Sequence, residues 1–284
     1  MIKSGWAVLK ETILSFVEDE ALTRGAAMSF YAITSLAPIL LIVIAIAGLF
    51  FGRDAAQNAL TGQFQSLMGQ QGAEMLQSII QNAGQKSSGV LATIVGVVTL
   101  LITASGVFGE MQSALNTIWK ARPEGTAASR LIRARIASLG LVAALGLLLM
   151  ISLVVSAGLS ALGGVVNALL PFGKPILSTL NFVISFGLIA ILFAAIYKVL
   201  PDKQLRWDDV IVGAIATSLL FTIGKSLIGW YLGSSAVAST YGAAGALIIV
   251  MLWTYYSSQI FLLGGEFTKV YAYRHGSQAT REQQ

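Results

Sequence analysis

The feature that most restricts this sequence is a recurrence of apolar runs, at about 26–51, 89–109, 136–162, 176–199, 210–232 and 243–267. At about 1.5 Å per residue, a helix of roughly 20 residues crosses a hydrocarbon core ~30 Å thick. Inside that core each backbone amide must be satisfied within its own segment, which leaves helices as the form for such runs. Nor do the runs suit the core of a soluble domain. The chain is 56% apolar and only 11% charged, against about 25% charged residues in an ordinary globular protein. The fold expected is all-α: a polytopic membrane protein with six transmembrane helices plus amphipathic surface helices, forming one integral membrane domain over residues 1–284. The first run follows an amphipathic, acidic stretch, so it reads as a retained anchor and not as a cleavable signal peptide.

Between the runs the pattern changes. Over residues 4–19, Trp6, Leu9, Ile13, Phe16 and Val17 recur at helical spacing, with Lys10, Glu11, Glu18 and Asp19 off that face. This predicts an amphipathic helix at the membrane surface. A glutamine-rich interlude repeats the pattern over 55–82 through Leu60, Phe64, Leu67, Met68, Met75, Leu76, Ile79 and Ile80. Pro38 should kink the first span and free a carbonyl near Thr34, which neighbouring hydroxyls such as Ser29, Tyr31, Thr34 and Ser35 are suited to satisfy.

The net charge of +5 matters less than where the cations lie. With both termini cytoplasmic, fourteen of the eighteen Lys and Arg residues fall inside and only Arg53, Lys86 and Lys174 outside, the remaining one being Lys225. Positive charge concentrates on the cytoplasmic side of membrane proteins, so the N- and C-termini are placed inside. Two halves of three helices would then have opposite orientations, which leaves an inverted repeat open.

Lys225 is a cation within an apolar run, about 22 Å from Val210 and about 10 Å from Leu232 along a straight helix, hence in the outer half of the membrane. Ala214, Ser218, Thr222, Lys225, Gly229 and Gly233 recur at three or four residues and share one stripe. The sixth run has a polar centre in Thr254, Tyr255, Tyr256, Ser257, Ser258 and Gln259. Together these predict an outward-facing polar cleft, with Lys225, Ser218, Thr222, Tyr255 and Gln259 as candidate binding residues for an anionic lipid or a small anion. The competing reading is that the Lys225 amine snorkels to the outer interface and serves assembly only.

Glu110 and Glu266 sit at the inner ends of their helices, too far along a straight helix to neutralise Lys225. They are expected to form interface ion pairs with Arg24 and the loop arginines, with proton coupling as the alternative. Enzyme chemistry finds little support. There is no cysteine and one histidine, His275, so no cluster of metal-ligand spacing exists, and neither a phosphate-binding GxxxxGK[ST] loop nor a GxSxG elbow is present. No catalytic residue, metal or cofactor is expected. The basic connection Lys120, Arg122, Arg130, Arg133 and Arg135 suits anionic lipid headgroups better than nucleic acid. Oligomeric state is not legible.

Several motifs together resemble the YihY/BrkB family of bacterial inner-membrane proteins. They are Arg24-Gly25-Ala26-Ala27 with Ser29-Phe30-Tyr31, Ser35-Leu36-Ala37-Pro38, Ala114-Leu115-Asn116-Thr117-Ile118-Trp119, and Leu200-Pro201-Asp202. The likeness continues in Trp207-Asp208-Asp209-Val210, Gly213-Ala214, Gly224-Lys225, Tyr231-Leu232-Gly233, Tyr241 to Gly245, Leu252-Trp253, Tyr255-Tyr256 and Gly264-Gly265-Glu266-Phe267. Where members often carry Gly-Ala-Glu, this chain has Gly264-Gly265-Glu266, which keeps the acid. The resemblance implies six membrane helices and a role in transporting or flipping an amphipathic anion such as a lipid, or else a non-transporting scaffold for envelope assembly. The family's old ribonuclease label lacks the residues it would need here.

Overall fold

The computed structural model describes residues 2–85, 106–121, 173–234 and 243–279, together with scattered helical positions between 140 and 158. All regular secondary structure among the described residues is helical. In chain order the helices are α1 (Ile2–Glu18), α2 (Ala21–Phe51), α3 (Arg53–Gln85), a helical stretch over 106–118, α4 (Gly173–Val199), α5 (Trp207–Ser234) and α6 (Ala243–Arg274).

Three of these helices contain segments long and apolar enough to cross a membrane: Pro175–Val199, Trp207–Tyr231 and Leu247–Arg274. A fourth arises if the two arms of α2, bent by 47° at Pro38, count as one span. The first, fourth, fifth and sixth expected runs thus fall on α2, α4, α5 and α6. The runs at 89–109 and 136–162 lie almost wholly outside the described residues. At the bend, Thr34 Oγ1 donates back to the carbonyls of Phe30 and Tyr31 at 3.1 and 3.0 Å, so this hydroxyl serves the turn before Pro38 and not the carbonyl of Thr34.

α6 is the hub, touching α1, α2, α3 and α5, while α4 packs on α5. The apolar interior has two parts. One joins Leu115, Ile118 and Trp119 to Phe193 and Tyr197 of α4, Val210 and Ala214 of α5, and Phe261 and Leu262 of α6. The other joins Leu40, Val43 and Ile44 of α2 to Leu60, Leu76 and Ile80 of α3 and Ile249 and Val250 of α6. Burying that face explains why the glutamine-rich α3 is helical at all. Gly69 breaks it with φ of 78°, a left-handed value at which a Cβ would be strained.

Outward-facing residues follow the same logic. On α5, Ile211, Ile215, Leu219, Ile223 and Leu227 are exposed at a spacing of four, the face a membrane helix turns to lipid. On α1, Trp6, Leu9, Ile13 and Val17 are exposed, while Val8 and Thr12 are buried. The helix is therefore amphipathic as the spacing predicts, with Phe16 turned to the core and the remaining apolar stripe facing outward.

Candidate functional site

The seam between α5 and α6 sets the depth of each candidate residue. A Cβ added at Gly213 would fall on Thr268, one at Gly264 on Thr217, and one at Gly224 on Tyr256 and Ile260. Small residues on both helices let the backbones approach closely. The seam is also hydrogen-bonded. The Tyr197 hydroxyl from α4 donates to the Phe261 carbonyl at 2.7 Å and lies 3.1 Å from Thr217 Oγ1, which itself donates to the Gly213 carbonyl at 2.7 Å. Three membrane helices are thereby tied at a dry, satisfied node.

This register runs the two helices antiparallel and puts Glu266 level with about Ile215. Lys225 then lies some ten residues, or about 15 Å, farther along α5. Lys225 and Glu266 are separate sites.

Lys225 is half-buried and makes no hydrogen bond or ion pair among the described residues. One turn earlier Thr222 Oγ1 is buried and likewise unpartnered. Ser218, a further turn down, is fully buried, and its hydroxyl is consumed by the Ala214 carbonyl at 2.7 Å. The stripe therefore begins closed at Ala214 and Ser218 and becomes unsatisfied at Thr222 and Lys225. Tyr255 is half-buried on α6, but the residue beside Gly224 is its neighbour Tyr256. Gln259 turns to α2: its Nε2 donates to the Leu22 carbonyl at 3.4 Å, and its side chain occupies the space a Cβ at Gly25 would need. Lys225, Ser218 and Thr222 thus share one face of α5, and Gln259 is not brought to them.

A second polar centre lies at the inner end. Glu266 is completely buried and accepts from Lys269 Nζ at 3.1 Å, and the same ammonium contacts Asp19 Oδ2 at 3.1 Å. Arg24 does not join this pair: its Nε donates to the Asp19 carbonyl at 3.1 Å and closes the break between α1 and α2. Glu110 is half-buried and forms no ion pair among the described residues, and the arginines of the following connection, Arg122 onward, lie outside them. Asp19 and Lys269 went unnoticed in the sequence, although Glu266 and Lys269 stand at the i, i+3 spacing at which helical side chains meet.

Other motif residues prove to be clamps. Asn116 Nδ2 donates to Asp202 Oδ2 at 2.8 Å, and the Asp202 amide donates to Asn116 Oδ1 at 2.8 Å. Lys203 Nζ lies 5.5 Å over the Trp119 ring and 5.2 Å over that of Tyr273, whose hydroxyl it also contacts at 2.9 Å. The buried Asp209 accepts from the Ser277 amide at 3.0 Å and from its hydroxyl, holding the turn after α6. None of these places a nucleophile beside a base. Among the described residues no group of three or more His, Asp or Glu could hold a metal ion.

Three helices long and apolar enough to cross a membrane, or four if the bent α2 is one span, define an integral membrane protein of the helical class. A family model described as Virulence factor BrkB matches residues 12–284, and the chain belongs to that family. It is similar to a UPF0761 membrane protein of Methylibium petroleiphilum, 31% identical over 93% of this chain and 66% of the relative. Further relatives are UPF0761 membrane proteins of Rhodospirillum centenum (25% identical, 92% of this chain and 56% of the relative) and Mannheimia succiniciproducens (24%, 90% and 86%). The chain thus spans from just over half to most of the length of these relatives. No solved structure matches it.

Proposed function

We propose that this protein transports or flips an amphipathic anion, most simply an anionic lipid, across a bacterial inner membrane in which both termini are cytoplasmic and no enzymatic step takes part. The observation that carries the reading is Lys225: a cation in a membrane helix, one turn from a buried hydroxyl, neither with a partner among the described residues. An intramembrane charge costs about 3 kcal/mol on insertion scales, so it persists where something offsets it. A phosphate or carboxylate accepts from both an ammonium and a hydroxyl.

A second feature supports an amphipathic cargo over a small anion. An apolar cleft of about 320 Å³ on α2 is lined by Leu41, Ile44, Ala45, Gly48 and Leu49, with Arg53 at its rim. Its apolar lining suits an acyl chain, the part that a small anion lacks.

Native mass spectrometry of the protein purified with its lipids, as wild type and as Lys225→Met, tests the reading. Loss of a co-purifying anionic lipid from the variant is expected. An unchanged lipid profile would favour a scaffold role, for which the dry Tyr197–Thr217–Phe261 node supplies the rigid frame.

A further inference from the structure

The face of α6 turned toward α1 and α2 holds two buried acceptors without a donor, Gln259 Oε1 and Glu266 Oε1. Seven residues apart, they lie on one side of the helix, about 10 Å from each other along its axis. Gln259 is an amide and cannot change its charge. Glu266 can, and it is completely buried.

The groups facing Glu266 from each neighbouring element are few. From its own helix comes Lys269, and from the α1–α2 junction Asp19, both carboxylates sharing the one ammonium. Arg24 of α2 spends its Nε on a backbone carbonyl. On the other side of α6, Gly264 meets Thr217 and Tyr197, and Gly265 meets Leu115 and Ile118, none of them charged at neutral pH. With both acids ionised the cluster carries one uncompensated negative charge against an apolar wall, an expensive state.

We propose that Asp19, Lys269 and Glu266 form a proton-binding site in which Glu266 Oε1 takes up and releases the proton. Binding forms one O–H bond at Oε1 and takes the cluster from a net charge of minus one to zero. The proton arrives from water through Asp19, whose side chain is 17% exposed where that of Glu266 is not exposed at all. A metal cation does not fit the same place, because Lys269 already brings a positive charge to both carboxylates at 3.1 Å. Lys269 occupies one oxygen of Glu266, and Oε1 has no hydrogen-bond partner among the described residues. The site also sits at the break between α1 and α2. Glu20, the next residue after Asp19, holds φ of 53° where α1 breaks from α2, so a change of charge at the cluster acts on the contact that seats α1 against α6. The inference does not depend on what the protein carries.

Infrared difference spectroscopy of the full chain in lipid vesicles, titrated with acid, tests it. The stretch of a protonated carboxyl in an apolar setting is expected to appear on acidification. It should be lost in Glu266→Gln, shifted in Asp19→Asn and retained in Lys225→Met. Should Glu266→Gln fail to fold, Glu266→Asp serves, and the band must then move in frequency. A wild-type spectrum without a titrating buried carboxyl would overturn the proposal, as would a band untouched by both Glu266 variants.

Discussion

Lys225 of α5 and Glu266 of α6 both stand in helices long and apolar enough to cross a membrane, and the fold treats them in opposite ways. Glu266 of α6 is sealed from solvent and tied to Lys269, which also holds Asp19. Lys225 of α5 is half-buried, with no partner among the described residues and an unsatisfied Thr222 hydroxyl one turn away. The first arrangement closes most of its own electrostatics among the described residues; the second does not. The difference lies in the neighbours, because a buried ion pair must be nearly complete to be tolerated, whereas a half-buried cation is less fully desolvated.

The contrast depends on the seam between α5 and α6, whose disruption should have the largest effect. A side chain at Gly264 would fall on Thr217 Oγ1 and the Tyr197 hydroxyl, both parts of the three-helix node. Gly264→Leu should therefore abolish folded protein, read as loss of the monodisperse peak in detergent size-exclusion chromatography. Gly187→Leu on α4, where an added Cβ would meet no atom within 4 Å, is expected to leave that peak in place. If both variants behave alike, the seam is not what separates the two sites.

Next in size is Lys269→Met, which strands two carboxylates. Breaking a buried pair by removing one partner costs about 3–5 kcal/mol, and thermal unfolding in detergent should show a correspondingly large drop. Adding Glu266→Gln to Lys269→Met should recover part of that loss, since the stranded charge goes with it. Lys225→Met is the matching change at the open site and should cost no stability, or even raise it, because no group among the described residues loses a partner. A fall in stability comparable to that of Lys269→Met would make Lys225 a structural ion and remove the contrast.

Much of this was legible in the sequence, and the reasons for the remainder are physical. The apolar runs of α2, α4, α5 and α6 declare themselves because a bilayer demands unbroken hydrophobic length. The sequence reading ended the sixth run at Phe267, but α6 continues to Arg274. Lys269 pairs with Asp19 and Glu266 there, and α1 packs against α6. The stripe from Ala214 to Lys225 was visible through its spacing, but α5 has two adjacent stripes of small residues, and periodicity cannot say which one faces a neighbour. The structure gives the seam to Gly213, Thr217 and Gly224. Asp19 could not be paired with Lys269 from spacing, since 250 residues separate them. The same holds for Gln259, whose turn toward Gly25 depends on where α2 packs.

The smallest effect concerns the edge of the closed site and sets its boundary. α1 is fastened to α6 at two charged points: Asp19 to Lys269, with side chains 17% and 13% exposed, and Glu11 to Arg274, at 42% and 43%. Ion pairs as open as the second contribute about 0–1 kcal/mol, because water screens them and long side chains lose rotamer freedom in pairing. Glu11→Gln should shift unfolding by no more than that, and salt should erase the difference between variant and wild type. Asp19→Asn, made in parallel, should resist salt, because its partner is mostly desolvated and Glu266 lies behind it. Equal salt sensitivity in the two variants would mean that water reaches the Lys269 cluster as freely as it reaches Glu11, and Glu266 would then differ from Lys225 in degree and not in kind.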